Sequence, residues 1–526
     1  MKKSLLLAGV AFAFIGCGAS QDTTTTKSNT SKATADPVTY AQTITEDELR
    51  DLLFTYASDE FQGRETGEPG QKMAVDYLRT QYMNMGVPSP LQNDDYFQEV
   101  PLENAKSPDV SLSVNDQPFD LYTDFISTTT VKDQKLDLKE YAYAAYGIED
   151  GNYNDYANLD VKGKFVVIKN GEPKNSDGTY VTTNAKESTK WSGGRQSLRF
   201  KRDLAIEKGA KGVIIMDQEL FVRYSKYYQS RAASGKGSLS LVENNENEMS
   251  LLIGTKLGNS LVSDILNNDK PQMFESHISI NIRNKSELLE SENVVAFIKG
   301  SELPNEILVI SAHLDHEGIK DGEIYNGADD DGSGTVALLE IAEAFKMAQK
   351  DGNGPKRSIL FLHVTGEEKG LLGSRYYSDF DPIFPLENTV ANLNIDMIGR
   401  IDPNRKGDRN YVYLIGADKL STELHEISEA MNSKYTNIEL DYKFNDENDP
   451  NRFYYRSDHY NFAKNNIPVI FYFNGTHDDY HKPSDTPDKI NYDLLENRTK
   501  LVFHTAWELA NRADRITVDK AQAVKK

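Results

Sequence analysis

Histidine and carboxylate side chains gather in five short segments of this chain, most of them directly after apolar runs. In the first, SAHLDH at 311–316, alternation along an extended segment puts His313 and Asp315 on one side and His316 on the other. An Asp at that spacing can orient a metal-binding imidazole through its second nitrogen. The second, NGADDDGSG at 326–334, sets Asp329, Asp330 and Asp331 side by side. Three adjacent carboxylates repel one another unless something positive compensates. A metal could do so, and so could solvent at a helix start, where acids are favoured. The third, TGEEKG at 365–370, offers two neighbouring acids, Glu367 and Glu368, one able to bind a metal while the other moves protons. The fourth, NIDMIG at 394–399, ends an apolar run on Asp396, a carboxylate that burial would force to find a partner. The fifth, DDYHKPSDT at 478–486, brings His481, with His477 just ahead of it as a competitor. Imidazoles combined with carboxylates suit a borderline cation such as zinc.

The elements that must position these groups follow from periodicity. Apolar runs at 307–312, 359–364, 390–395, 411–415 and 469–473 read as strands, and the segments 335–349, 422–432, 459–465 and 494–512 as helices. Near-continuous apolar strands alternating with helices predict an α/β fold with a mainly parallel mixed sheet flanked by helices. Ligands of such sheets sit beyond the carboxyl ends of the strands, where the acidic and histidine segments fall. Nearer the N-terminus, Thr45 and Glu48 form a capping box for a helix, and a second helix follows the Gly67/Pro69/Gly70 turn. Residues 106–289 change texture to short strands and turns, clearest at 165–169 and 212–216, and carry no convincing catalytic constellation.

At 526 residues the chain is long enough for two or three domains, and its net charge of −22 argues against nucleic-acid binding. Lys2, Lys3, the apolar stretch 5–15 and Gly16 before Cys17 read as a signal peptide ending in a lipobox. Cys17, the single cysteine of the chain, would be lipidated, and the Thr/Ser-rich segment 18–38 would be a flexible tether. These features predict an exported bacterial lipoprotein of the cell envelope, touching membrane only through its N-terminal anchor.

Taken in order, ASDEFQGRETGEPG, SAHLDH, NGADDDGSG, TGEEKGLLGS, NIDMIG, SDHYNF and YHKPSDT resemble the motifs of metallopeptidase family twenty-eight. That family comprises co-catalytic di-zinc exopeptidases, among them bacterial aminopeptidases and glutamate carboxypeptidase. DVKGKFVVIKNGEP and AIEKGAKGVIIM resemble the protease-associated domain inserted into such enzymes. The resemblance implies the zinc exopeptidase fold, with a catalytic domain of residues 39–105 and 290–516, a β-rich insertion at 106–289 and a tail at 517–526. It implies two zinc ions, held by His313, Asp330, Glu368, Asp396 and His481, with Asp330 shared and its peptide to Asp331 cis. It further implies Glu367 as general base, Asp315 as the residue steering His313, and Tyr480 as a group polarising the scissile carbonyl. His316 as a ligand, and an exchange of roles between Glu367 and Glu368, remain alternatives. The activity implied is release of single residues from peptide N-termini. A carboxypeptidase is the near alternative, for which Arg452 and Arg456 are the nearby candidates, and a non-catalytic receptor-like module or a one-zinc cyclase lies further off.

Overall fold

The computed structural model describes residues 36–127, 132–242 and 249–520. Cys17 and most of the tether therefore lie outside the described residues. Folding begins as the capping residues dictate: Thr45 accepts the Glu48 amide at the start of the helix Glu46–Tyr56, and a longer helix, Pro69–Met85, follows the glycine turn.

The site-bearing sheet has nine strands. Across it run Ser238–Leu241, Phe97–Ala105, Glu287–Ile298, Arg357–Val364, Leu303–His313, Thr389–Ile395, Val469–Phe473, Tyr411–Ile415 and Glu439–Asp441. The four in the centre, from Arg357–Val364 to Val469–Phe473, are parallel. Both flanks turn antiparallel, at Glu287–Ile298 on one side and Tyr411–Ile415 on the other. The sheet is thus evenly mixed, not mainly parallel. The expectation failed because Phe97–Ala105 alternates buried with exposed positions over its first half and the first half of Glu287–Ile298 is mostly exposed, so both lack the apolar runs of the central strands.

The central strands are buried at every position from Ile307 to His313, Arg357 to Val364, Thr389 to Ile395 and Val469 to Phe473, so both faces are covered. The long helices Gly334–Lys350 and Tyr492–Asn511 pack on each other and on the strand Leu303–His313. The short helices Leu372–Asp379 and His459–Ala463 pack together, the second also against Thr389–Ile395 and Val469–Phe473.

A second sheet of eight strands is built from residues between Asp109 and Arg283. Its inner strands Gln134–Tyr143, Phe165–Lys169, Gly212–Met216 and Met249–Ile253 are parallel, and the helices Gly194–Glu207 and Gln218–Ser234 intervene in sequence. This region is α/β in character, richer in helix than its short strands suggested. One strand from within it, Ser238–Leu241, leaves to pair with Phe97–Ala105 at the edge of the nine-stranded sheet.

Candidate metal centre

The parallel strands Leu303–His313, Arg357–Val364 and Thr389–Ile395 lie side by side, so His313, the Glu367–Glu368 pair and Asp396 emerge from neighbouring carboxyl ends. Asp330 arrives from the loop before the helix Gly334–Lys350, and His481 from the turn after Val469–Phe473. The Asp330–Asp331 peptide is cis.

Asp330 occupies the middle. Its Oδ1 lies 3.1 Å from His313 Nε2, and its Oδ2 lies 3.0 Å from His481 Nε2. On the first side Asp396 Oδ1 stands 3.8 Å from His313 Nε2. On the second, Glu368 Oε2 stands 3.2 Å from His481 Nε2. All five sequence-derived ligands are therefore brought together, His313 and Asp396 on one side of Asp330 and Glu368 and His481 on the other. His313 Nε2, Asp330 Oδ2 and Glu368 Oε1 are buried yet complete no hydrogen bond. Such atoms cost roughly 1–3 kcal/mol each unless something else meets them. Burial works against protonation of His313 and His481, but Asp330, with Asp396 or Glu368, raises both, His481 to about 10. Burial and Asp330 push Glu368 up, yet His316 and His481 hold it down to about 2. The carboxylates thus demand positive charge, and the donor set fits a metal pair.

The outer two acids of the triplet hold the frame. Asp331 accepts from the amides of His313, Gly334 and Met397 at 3.2, 3.0 and 3.1 Å. Asp329 accepts from Gly399 N at 2.7 Å and faces His477 Nε2 at 3.1 Å. His477 thus faces Asp329, while His481 faces Asp330 and Glu368.

Asp315 meets the second nitrogen of His313 chiefly through its main chain. The His313 ring reaches the Asp315 backbone carbonyl at 3.0 Å, while the carboxylate lies 4.0 Å away. That carboxylate instead accepts from Thr66 Oγ1 at 2.8 Å and from the Glu367 amide at 3.1 Å. Alternation fails here because the strand ends at His313. Asp315 therefore fixes the backbone of Glu367, and His313 is oriented by the main chain. Burial, together with Asp396 and Glu368, holds the Glu367 carboxyl well above its ordinary range, only partly offset by His313.

Glu367 and Tyr480 border one cleft with Asp330, Asp396, His481 and Arg456. Tyr480 stacks on His481 with ring centroids 3.9 Å apart, and burial raises its hydroxyl pKa, as do Asp330 and Glu368. The same end of the sheet gathers further groups, among them His316, the alternative ligand. His316 comes within 2.9 Å of Glu368 Oε1, although alternation had pointed it away. Glu317 Oε1 lies 3.6 Å from His481 Nδ1, the nitrogen facing away from Asp330. Buried Arg64 donates to the carbonyls of Leu314, Tyr56, Asn326 and Gly327, tying the entry segment to both ligand loops. Buried Asp458 accepts from Ser374 Oγ at 2.5 Å. Glu317 stands next to the HLDH motif and could have been found there; Arg64 offered only its GR dipeptide.

Comparison with known proteins bears on the same residues. The family model described as Peptidase family M28 matches residues 293–506. That match covers less than half of this chain. The matched residues include all five clustered donors and Glu367. "Aminopeptidase NAALADL1" of Mus musculus is 33% identical over 123 residues, covering 23% of this chain and 16% of that protein. "Aminopeptidase YwaD" of Bacillus subtilis (strain 168) is 25% identical over 206 residues, 38% of this chain and 42% of its own. "Probable zinc metalloprotease" of Pyrenophora teres f. teres (strain 0-1) is 37% identical over 125 residues, 22% and 23%. The chain spans less than half the length of each of these relatives.

Proposed function

We propose that this chain is a metal-dependent aminopeptidase that holds two zinc ions and releases residues from peptide N-termini. The observation that carries the reading is the convergence of His313, Asp330, Asp396, Glu368 and His481 with buried, unpartnered donor atoms aimed inward. The M28 match and the names of the relatives, two of them aminopeptidases and one a zinc metalloprotease, support it.

In this reading His313 and Asp396 would hold one ion, Glu368 and His481 the other, and Asp330 would serve both. Zinc bound there supplies Lewis-acid polarisation of the scissile carbonyl and acidifies the attacking water. Glu367, at the cleft, takes the water's proton and returns it to the leaving amine. Asp315 and Thr66 keep the Glu367 backbone in place for that transfer. Tyr480 donates its hydroxyl proton as a hydrogen bond to the developing oxyanion.

Residues 39–105 and 290–516 would form the catalytic domain and 106–289 a protease-associated insertion, with the eight-stranded sheet as its body. The segment up to Cys17 would direct export and lipid attachment, with the mature protein in the cell envelope. No helix among the described residues is long and apolar enough to cross a membrane. Arg456 at the cleft is the one observation that favours a substrate carboxylate instead. The deciding experiment compares amino-acid anilides with amino-blocked peptides, alongside metal analysis of the purified protein. Cleavage of the anilides with near two zinc per chain is the expected result; cleavage of blocked peptides alone would establish a carboxypeptidase, and a metal-free protein would end the reading.

A further inference from the structure

We infer that His316 is itself a metal ligand, so that the cation on the Glu368 side is met by two imidazoles and the one on the Asp396 side by a single imidazole. The inference rests on the two-metal reading above and adds a donor to it. His316 is fully buried, and neither of its ring nitrogens completes a hydrogen bond. Its Nδ1 lies 2.9 Å from Glu368 Oε1 and 3.9 Å from Asp330 Oδ2, and those two oxygens are equally without hydrogen-bond partners. Three buried polar atoms, all within 4.8 Å of one another and none completing a hydrogen bond, are arranged as the donors of one cation would be. A hydrogen-bonded His–Glu pair would have satisfied two of the three.

Lack of a partner alone would not suffice. His459 is also buried with both nitrogens unmatched, but it stacks on Phe471 at 4.7 Å and packs against Tyr454. His363 takes the Tyr82 hydroxyl at 2.7 Å and has no carboxylate in reach of an ion pair. His316 differs in facing two carboxylates already committed to the cluster, with the His481 ring perpendicular to its own at 5.7 Å.

The chain also holds the ring there. The His316 amide donates to the Arg64 carbonyl at 3.2 Å, and the Arg64 guanidinium draws in the carbonyls of Leu314 and Gly327 on either side. Gly327, at φ +53°, lies against the imidazole; a Cβ there would fall 2.5 Å from His316 Cγ and 2.2 Å from the Asp330 carbonyl oxygen. A side chain at 327 would displace the ring from the cluster. Two nitrogen donors and shared carboxylate oxygens suit zinc, and they predict tighter loading of the Glu368 side.

The test is proton NMR of the full chain loaded with cobalt(II), counting hyperfine-shifted, solvent-exchangeable imidazole N–H signals. Each ligating histidine contributes one. Wild type is expected to show three, from His313, His316 and His481, and His316→Ala two, with at least tenfold weaker zinc binding at one site and the other unchanged. Two signals in the wild type would overturn the inference even if the variant did not fold. Weaker binding with an unchanged signal count would also overturn it, making His316 a positioning residue. A wild type that takes up no cobalt or zinc would instead defeat the two-metal reading on which the inference rests.

Discussion

Both sheets bury charged groups beyond the carboxyl ends of parallel strands, and they treat them in opposite ways. In the eight-stranded sheet, Glu172 and Asp217 follow the strands Phe165–Lys169 and Gly212–Met216 and lie, with Asp155, around buried Lys201. Every group in that cluster is satisfied. Glu172 accepts from Thr182, Thr189 and Ser192, and Asp217 from Asn170 and Leu220 N. Asp155 accepts from Tyr153 and Ile148 N, and Lys201 donates to the Gly171 carbonyl. In the nine-stranded sheet, Asp330, Glu368 and Asp396 pair only with histidines among the described residues, and several of their lone pairs meet nothing. A charge cluster that carries its own lysine is finished by the polypeptide. One built of acids and imidazoles leaves lone pairs that a cation from outside would meet, because buried carboxylates stay ionised only with positive charge nearby.

The comparison can be broken most sharply at Glu367. Glu367→Gln is expected to lower kcat about 10²–10⁴-fold while zinc content stays at the wild-type value. A loss of metal in this variant would move Glu367 into the ligand set. Next in size is metal removal. Chelation should withdraw stability of about 4 kcal/mol if zinc is normally present at a thousand times its dissociation constant. Hydrogen exchange should then quicken at 313–316, 327–334 and 366–368 and stay unchanged at 165–172 and 212–217. Equal loosening of both regions would erase the distinction drawn here.

Thr66→Val removes a hydrogen bond to Asp315 and so loosens Glu367 at one remove. A roughly tenfold fall in kcat with unaltered KM and metal content is expected, the lower end of the range for residues that orient catalytic groups. The smallest effect concerns Lys201. Burial lowers its pKa from 10.5 to about 7, against the pull of Asp155, Glu172 and Asp217. Between those values the unfolded chain keeps a proton that the native state has released. Stability should therefore rise with pH across that window by up to about 1.4 kcal/mol per pH unit from this group. Lys201→Met should flatten the rise in denaturant titrations at pH 7.5 and 9; an unchanged slope would show that Lys201 keeps its charge when folded.

Much of the site was legible because its residues sit at the ends of apolar runs. His313, Glu367–Glu368 and Asp396 end or follow strand segments buried at every residue, 307–313, 357–364 and 389–395, and burial on both faces writes itself into sequence as an apolar run. Flanking strands were less legible, since Phe97–Ala105 is buried at only some positions and Ser238–Leu241 pairs with a partner far away in sequence. Alternation misplaced the Asp315 carboxylate and the His316 ring for one reason. The two-residue rule holds only while the chain stays extended, and the strand ends at His313.

Sequence alone determined which residue types are available and that they lie at successive strand ends, since composition and hydrophobic period are local properties. Only the tertiary structure decided which atoms face one another: that Asp330 stands between two groups of donors, that His477 faces Asp329 while His481 faces Asp330, and that His316 joins Glu368. Those outcomes depend on loop paths fixed by Arg64, Gly327 and Asp331, contacts between segments up to 263 residues apart that no local pattern encodes.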